Sequence, residues 1–195
     1  MSPDTLSGTP VGSGLFGYNP VSTLISETGI PATVSTTHAR VYVDLSGNHN
    51  TGLAIANLDP TSAAITVKAF QTDGVTAAGR SQGALPLAGN GHDARFADEF
   101  IAGLPAGFKG VLDISSPTPF AAITLRSLMN ERNEFLMTTF PVVEAEAAAP
   151  SPVVFPQIAD GGGYTTQFIL ISPSAEVGII LSLRTENGSP WAIAE

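Results

Sequence analysis

"AAITVKAFQTDG", residues 63–74, decides the class of fold. Ile65, Val67 and Ala69 fall on one side of an extended chain and Thr66, Lys68 and Phe70 on the other, because successive side chains of a strand point to opposite faces. The Asp73-Gly74 pair that follows suits a tight hairpin turn, since glycine takes positive φ without a steric cost.

The same signature recurs along the chain. "ARVYVD" (39–44), "GLAIAN" (52–57), "KGVLDIS" (109–115), "FAAITLRSL" (120–128) and "EFLMTTF" (134–140) are short, β-branched or alternating, and bounded by turn residues. Asn187-Gly188 in "ENGS" (186–189) marks another hairpin turn. One short helix is expected in "ARFADEFIAG" (94–103): Asp93 caps it, Phe96 and Phe100 sit at i and i+4, and Gly103 with Pro105 ends it. Many short strands and one short helix predict an all-β protein built from antiparallel β-sandwich units.

Composition narrows the function. At 195 residues, with 43% hydrophobic and 13% charged residues, the chain can bury a sizeable core. A net charge of −9 with eight scattered Lys and Arg argues against nucleic acid, whose phosphates need clustered cations. The absence of cysteine excludes disulfides, thiolate metal sites and cysteine nucleophiles. No apolar run reaches the length of a membrane span, and "MSPDTLSGTPVGSG" lacks the basic and apolar regions of a signal peptide.

Two segments repeat. "NTGLAIAN" (50–57) lines up with "TTQFILIS" (165–172), and the flanking stretches on both sides align with it, so that Asp73-Gly74 matches Asn187-Gly188. "TPFAAITLRSLMNERNEFLMTTFP" (118–141) likewise matches "TPVGSGLFGYNPVSTLISETGIP" (9–31), each running strand, turn, strand and closing on proline. Residues 36–145 therefore read as one complete sandwich unit. Residues 1–35 and 150–195 read as closing and opening strands of neighbouring units, expected to pack together as a second, partial unit. That pairing is expected within one chain, or between chains by strand exchange.

The repeat also interprets the glycines of "DGGGYTT" (160–166). They occupy the slot of "SGNHNTG", a polar loop between strands, whereas a phosphate-binding loop must open a helix. They are expected to make a turn.

"NTGLAIAN", "NERNEFLMTTFPV", "VVFPQIADGGGYTTQFILISPS" and "GLFGYNPVSTLISETGIPA" carry a family likeness. They resemble motifs of tandem β-sandwich repeats in large secreted or surface proteins of Acidobacteria and other environmental bacteria. The resemblance covers nearly the whole chain and implies an extracellular, multi-repeat context. Neighbouring repeats and surface glycans or proteins are the partners it implies. It brings no catalytic residues with it.

Few residues offer chemistry. "GRSQG" (79–83) matches the Gly-x-Ser-x-Gly elbow of serine hydrolases, with Ser81 as nucleophile and His92 as the one later histidine. Pro86 and two glycines in the "ALPLAGNG" that follows leave no room for a helix, and no acid separates Ser81 from His92, so a loop is the plainer reading. Asp44, Ser46, Asn48 and Asn50 alternate oxygen ligands along "DLSGNHN", which leaves calcium open, although the spacing is not that of an EF-hand. Among cofactors, calcium alone is left open. Tyr164 and Trp191, each beside a turn, are the rings best placed to meet a glycan. The expected function is a non-catalytic structural or adhesive module. The alternatives are a Ser81 hydrolase or a glycan-binding module.

Overall fold

The chain from Lys109 to Met129 runs as one continuous strand, and the rest of the fold hangs on it. The computed structural model describes residues 12–80, 84–146, 152–172 and 178–191. Among them form β1 (Ser13–Tyr18), β2 (Ser26–Pro31), β3 (Thr36–Asp44), β4 (His49–Asn57), β5 (Ala63–Gln71) and β6 (Ala77–Ala78). There follow β7 (Leu85–Leu87), β8 (His92–Phe96), α1 (Ala97–Phe100), β9 (Lys109–Met129), β10 (Phe135–Phe140) and β11 (Val143–Glu144). All strand pairs are antiparallel, and the all-β class expected from the alternation is the class observed.

Strand β9 serves two sets of neighbours. Its first half pairs with β3 on one edge (Val41 opposite Leu112) and β5 on the other (Val67 opposite Ile114). Its second half pairs with β4 (Ile55 opposite Ala122) and β10 (Thr139 opposite Leu125). Strand β8 extends β4, β11 extends β3, and β6 and β7 extend β5.

Alternation turns one face of each long strand into a shared core. Ala39, Val41 and Val43 of β3, Leu53 and Ile55 of β4, and Ala63, Ile65, Val67 and Ala69 of β5 are all buried. They meet Leu112, Ile114, Phe120 and Ala122 of β9. Each large aliphatic or aromatic side chain so enclosed contributes about 1.5–3 kcal/mol over an exposed one.

Sequence alone suggested two strands, 109–115 and 120–128, where the structure has one. The reason is Ser116-Pro117-Thr118-Pro119. Residues 116–119 have no ladder partners, as expected for prolines without an N–H, yet proline's fixed φ is compatible with an extended chain. The strand keeps its direction and its inward parity, so Ile114 and Phe120 both point into the core. A strand that leaves one set of partners for another makes the corner between two packed layers.

The helix is also shorter than expected. Residues 92–96 are strand β8, with Asp93 opposite Ile55 of β4, and only Ala97–Phe100 turns helically. Asp93 therefore caps nothing, and its carboxylate meets Arg95 at 2.6 Å. Glu99 instead accepts the Phe96 N–H at 2.7 Å. The edge of β4 offers a ladder of backbone bonds, and pairing with it outweighs a local helical preference.

Both expected turns form, with Gly74 at φ +72° after Asp73 and Gly188 at φ +85° after Asn187. The three glycines 161–163 all take positive φ, and the N–H groups of Gly161 and Tyr164 each donate to the other's carbonyl at 3.0 Å. The terminal segments do not pair with each other among the described residues. β1 and β2 form a two-stranded sheet of their own, while residues 152–191 show only isolated bridges. Among the described residues, no strand pairing joins residues 12–35 to residues 152–191.

Candidate functional site

Chemistry on this molecule divides between polar groups held among the strands that pair with β9 and apolar groups left exposed on the segments at either end. Asp44 ends β3 and is buried, with 5% of its side chain exposed. Its Oδ1 accepts the Ser46 N–H at 3.0 Å and the Ser46 hydroxyl at 2.6 Å, and its Oδ2 accepts from Arg126 at 3.0 Å. Burial pulls the Asp44 carboxyl up, but the Ser46 hydroxyl and amide, Arg126 and Lys109 together hold it below the usual carboxylate range. Beside it, burial and the Asp44 charge push the Tyr42 phenol up against the opposing pull of Arg126.

Asp44 was a candidate calcium ligand with Asn48 and Asn50. Both of its oxygens are engaged within the chain, and a guanidinium stands where a cation would have to approach. Asn50 Oδ1 accepts the Thr51 N–H at 2.8 Å, and the Asn48 backbone carbonyl accepts from Met129 at 3.0 Å. No group of three or more His, Asp or Glu able to hold a metal occurs among the described residues.

A second charged group lies on the outer face of β3 and β9. Asp113 accepts from His38 Nε2 at 3.0 Å on both oxygens and from Arg40 Nε at 2.9 Å. Arg40 Nη1 also donates to the Ser172 carbonyl at 3.2 Å, which ties the C-terminal segment to this face. A shallow depression of about 250 Å³ adjoins it, lined by His38, Thr66, Ser115, Ser116 and Glu146 among others. The Ser116 hydroxyl is hydrogen-bonded to that of Thr118 at 3.3 Å. A second depression, about 290 Å³, has apolar walls of Ile65, Val67, Leu85 and Phe100 with a single charge, Arg95, 5.6 Å over the Phe100 ring.

Ser81 lies outside the described residues. The chain that follows it runs as strand β7, not as the helix a nucleophile elbow requires, and His92 sits exposed on β8 opposite Ala56. Tyr164 is 70% and Trp191 50% exposed, so both rings are open to solvent.

An exposed apolar strand, β1, was not among the sites singled out from sequence. All six residues of β1 are exposed, Leu15 at 70% and Phe16 at 48%. The hairpin is fastened to the larger sheet through β2, whose Ser26 and Thr28 hydroxyls accept the N–H groups of Met137 and Thr139 in β10. Tyr18 packs edge-on against Phe135, with ring centroids 5.4 Å apart. The C-terminal segment adds Leu170, Ile179, Ile180 and Leu181 to the exposed apolar groups. The clue in the sequence was the match of 9–31 to 118–141, which identified the hairpin.

No helix among the described residues is long and apolar enough to cross a membrane. No family model matches the chain, and neither curated proteins nor solved structures give a match.

Proposed function

We propose that this chain is a non-catalytic structural or adhesive β-sandwich module of a bacterial extracellular multi-repeat protein. Residues 36–145 are the complete unit, and 1–35 and 150–195 are parts of neighbouring copies of it. One observation carries the reading. The β1–β2 hairpin pairs six residues with six, as the hairpin of β9 and β10 does, yet its apolar side chains stand in solvent. Exposed apolar surface of this kind marks an interaction site. The charged groups of the complete unit support the same reading, because Asp44 and Asp113 are engaged in bonds that hold strands together.

Hydrogen exchange tests the modular reading. Strands β3, β4, β5 and β9 should exchange as one slow block, with residues 13–31 and 165–171 in faster classes. A single slow class across all of these segments would overturn it. A fluorophosphonate probe should leave the protein unlabelled, and labelling that disappears in Ser81→Ala would replace the reading with a hydrolase. The exposure of Tyr164 and Trp191 favours glycan binding as the second reading. Retention on a glycan array that is lost in Tyr164→Ala or Trp191→Ala would establish that instead.

A further inference from the structure

We infer that the free edge of β1 accepts residues 165–171 of a second copy of this chain, so that copies join head to tail by strand complementation. The inference rests on the modular reading above and names the partner of its exposed hairpin.

Among the described residues, strand β1 is paired on one edge, by β2. The Ala32 N–H donates to the Gly12 carbonyl at 3.1 Å, and the antiparallel register alternates from there. Gly14, Phe16 and Tyr18 therefore turn their backbone groups toward β2, while Ser13, Leu15 and Gly17 turn theirs away. Pro31, which has no N–H to offer, lies opposite Ser13, where none is required. The outward row is an unpaired ladder edge, and such edges take up strands from other chains.

The complete unit identifies the occupant. There the counterpart of β1 is the second half of β9, flanked by β10 on one edge and β4 on the other. Strand β2 already stands in for β10. The sequence counterpart of β4 is "TTQFILIS", residues 165–172, which joins no sheet among the described residues.

Pairing within one chain decides which copy supplies the strand. Arg40, opposite Asp113 in the first half of β9, holds the Ser172 carbonyl. The hairpin docks on Thr139, opposite Leu125 in the second half. Val143, four residues on from Thr139, lies opposite Arg40, and the Tyr42 and Phe140 rings are 6.0 Å apart, so the two sites stand on adjoining strands. Segment and edge do not pair with each other among the described residues of one chain, which leaves each for a second copy, and a contact between unlike surfaces propagates unless its rotation closes.

Sedimentation velocity on the 195-residue chain tests this. The wild-type mass should rise with concentration as an open series. Leu15→Pro removes an outward N–H while leaving the bonds to β2, and Ile169→Pro disables the donor segment. Each variant alone should be monomeric, and an equimolar mixture should stop at dimers, because one retains only a donor and the other only an acceptor. Gly17→Pro, at the next outward position, replaces Leu15→Pro if the latter loosens the hairpin. A wild-type chain monomeric at every concentration overturns the inference, as does a Leu15→Pro or Gly17→Pro chain that assembles like wild type. Either result leaves the exchange classes of the modular reading unaffected, so the two failures are distinguishable.

Discussion

The hydroxyl of Thr28 accepts the backbone N–H of Thr139 at 3.2 Å, although the two residues lie 111 positions apart. Thr28 is 7% exposed. With Ser26 on Met137, it satisfies the edge of β10 by side chains where a further strand would use its backbone. Thr28→Val keeps the shape and removes the acceptor. Leaving one buried N–H unpaired costs about 1–2 kcal/mol, roughly a 5–30-fold population change. The Thr139 amide should exchange faster by that factor, with the amides of β3 unchanged.

Asp44 should govern part of the acid limb of stability. Its carboxyl titrates below the usual range when folded, so the unfolded chain binds the proton more readily. The stabilisation is complete above the unfolded carboxylate pKa of about 4 and is lost as pH falls through the lower folded value. Asp59 and Asp73, held low first by the Thr61 and Thr76 hydroxyls, act in the same direction. Asp44→Asn should cost about 2–3 kcal/mol at pH 7, because Arg126 loses its partner inside the fold. Urea melts from pH 7 to pH 3 should show a smaller pH slope for the variant.

Gly110 tests how closely β5 and β9 approach. A Cβ there would lie 2.2 Å from the Phe70 carbonyl oxygen and 2.4 Å from the Phe108 ring. The first obstacle is backbone inside a ladder and cannot swing aside. Gly110→Ala should therefore cost about 3 kcal/mol, and the melting temperature should fall.

Calcium should leave stability alone. A cation bound at a hundredfold excess over its Kd would add about 2.7 kcal/mol. Because both Asp44 oxygens already serve Ser46 and Arg126, melting curves in EDTA and in millimolar calcium should superimpose. A clear rise with calcium would return Asp44, Asn48 and Asn50 to the status of ligands.

What the sequence made legible was local. The alternation of Ile65, Val67 and Ala69 identified β5 and the face it buries, because period two is visible within seven residues. Pro117 and Pro119 look like breaks for the same reason, since only the partners on either side show the strand running through. Strand β8 was hidden because Phe96 and Phe100 have helical spacing, while its cause, the edge of β4, lies about 40 residues away. Asp44 and Arg126 meet across 82 positions. The exposed edge of β1 depends on what is not beside it, which no local pattern records.

Strands β3, β4 and β5 each pair with β9 and none pairs with another of the three. The order of synthesis gives this arrangement a consequence. Three alternating strands emerge from the ribosome before the one strand that joins them all. At 5–20 residues per second, roughly 3–12 s separate the end of β5 from the end of β9. Throughout that interval β4 can pair only with β8 and β5 only with the short β6 and β7, so β3 and much of the apolar face of all three stay uncovered. A truncated chain stopped before Lys109 should bind holdase chaperones and scatter light, while one extended past Met129 should close at once.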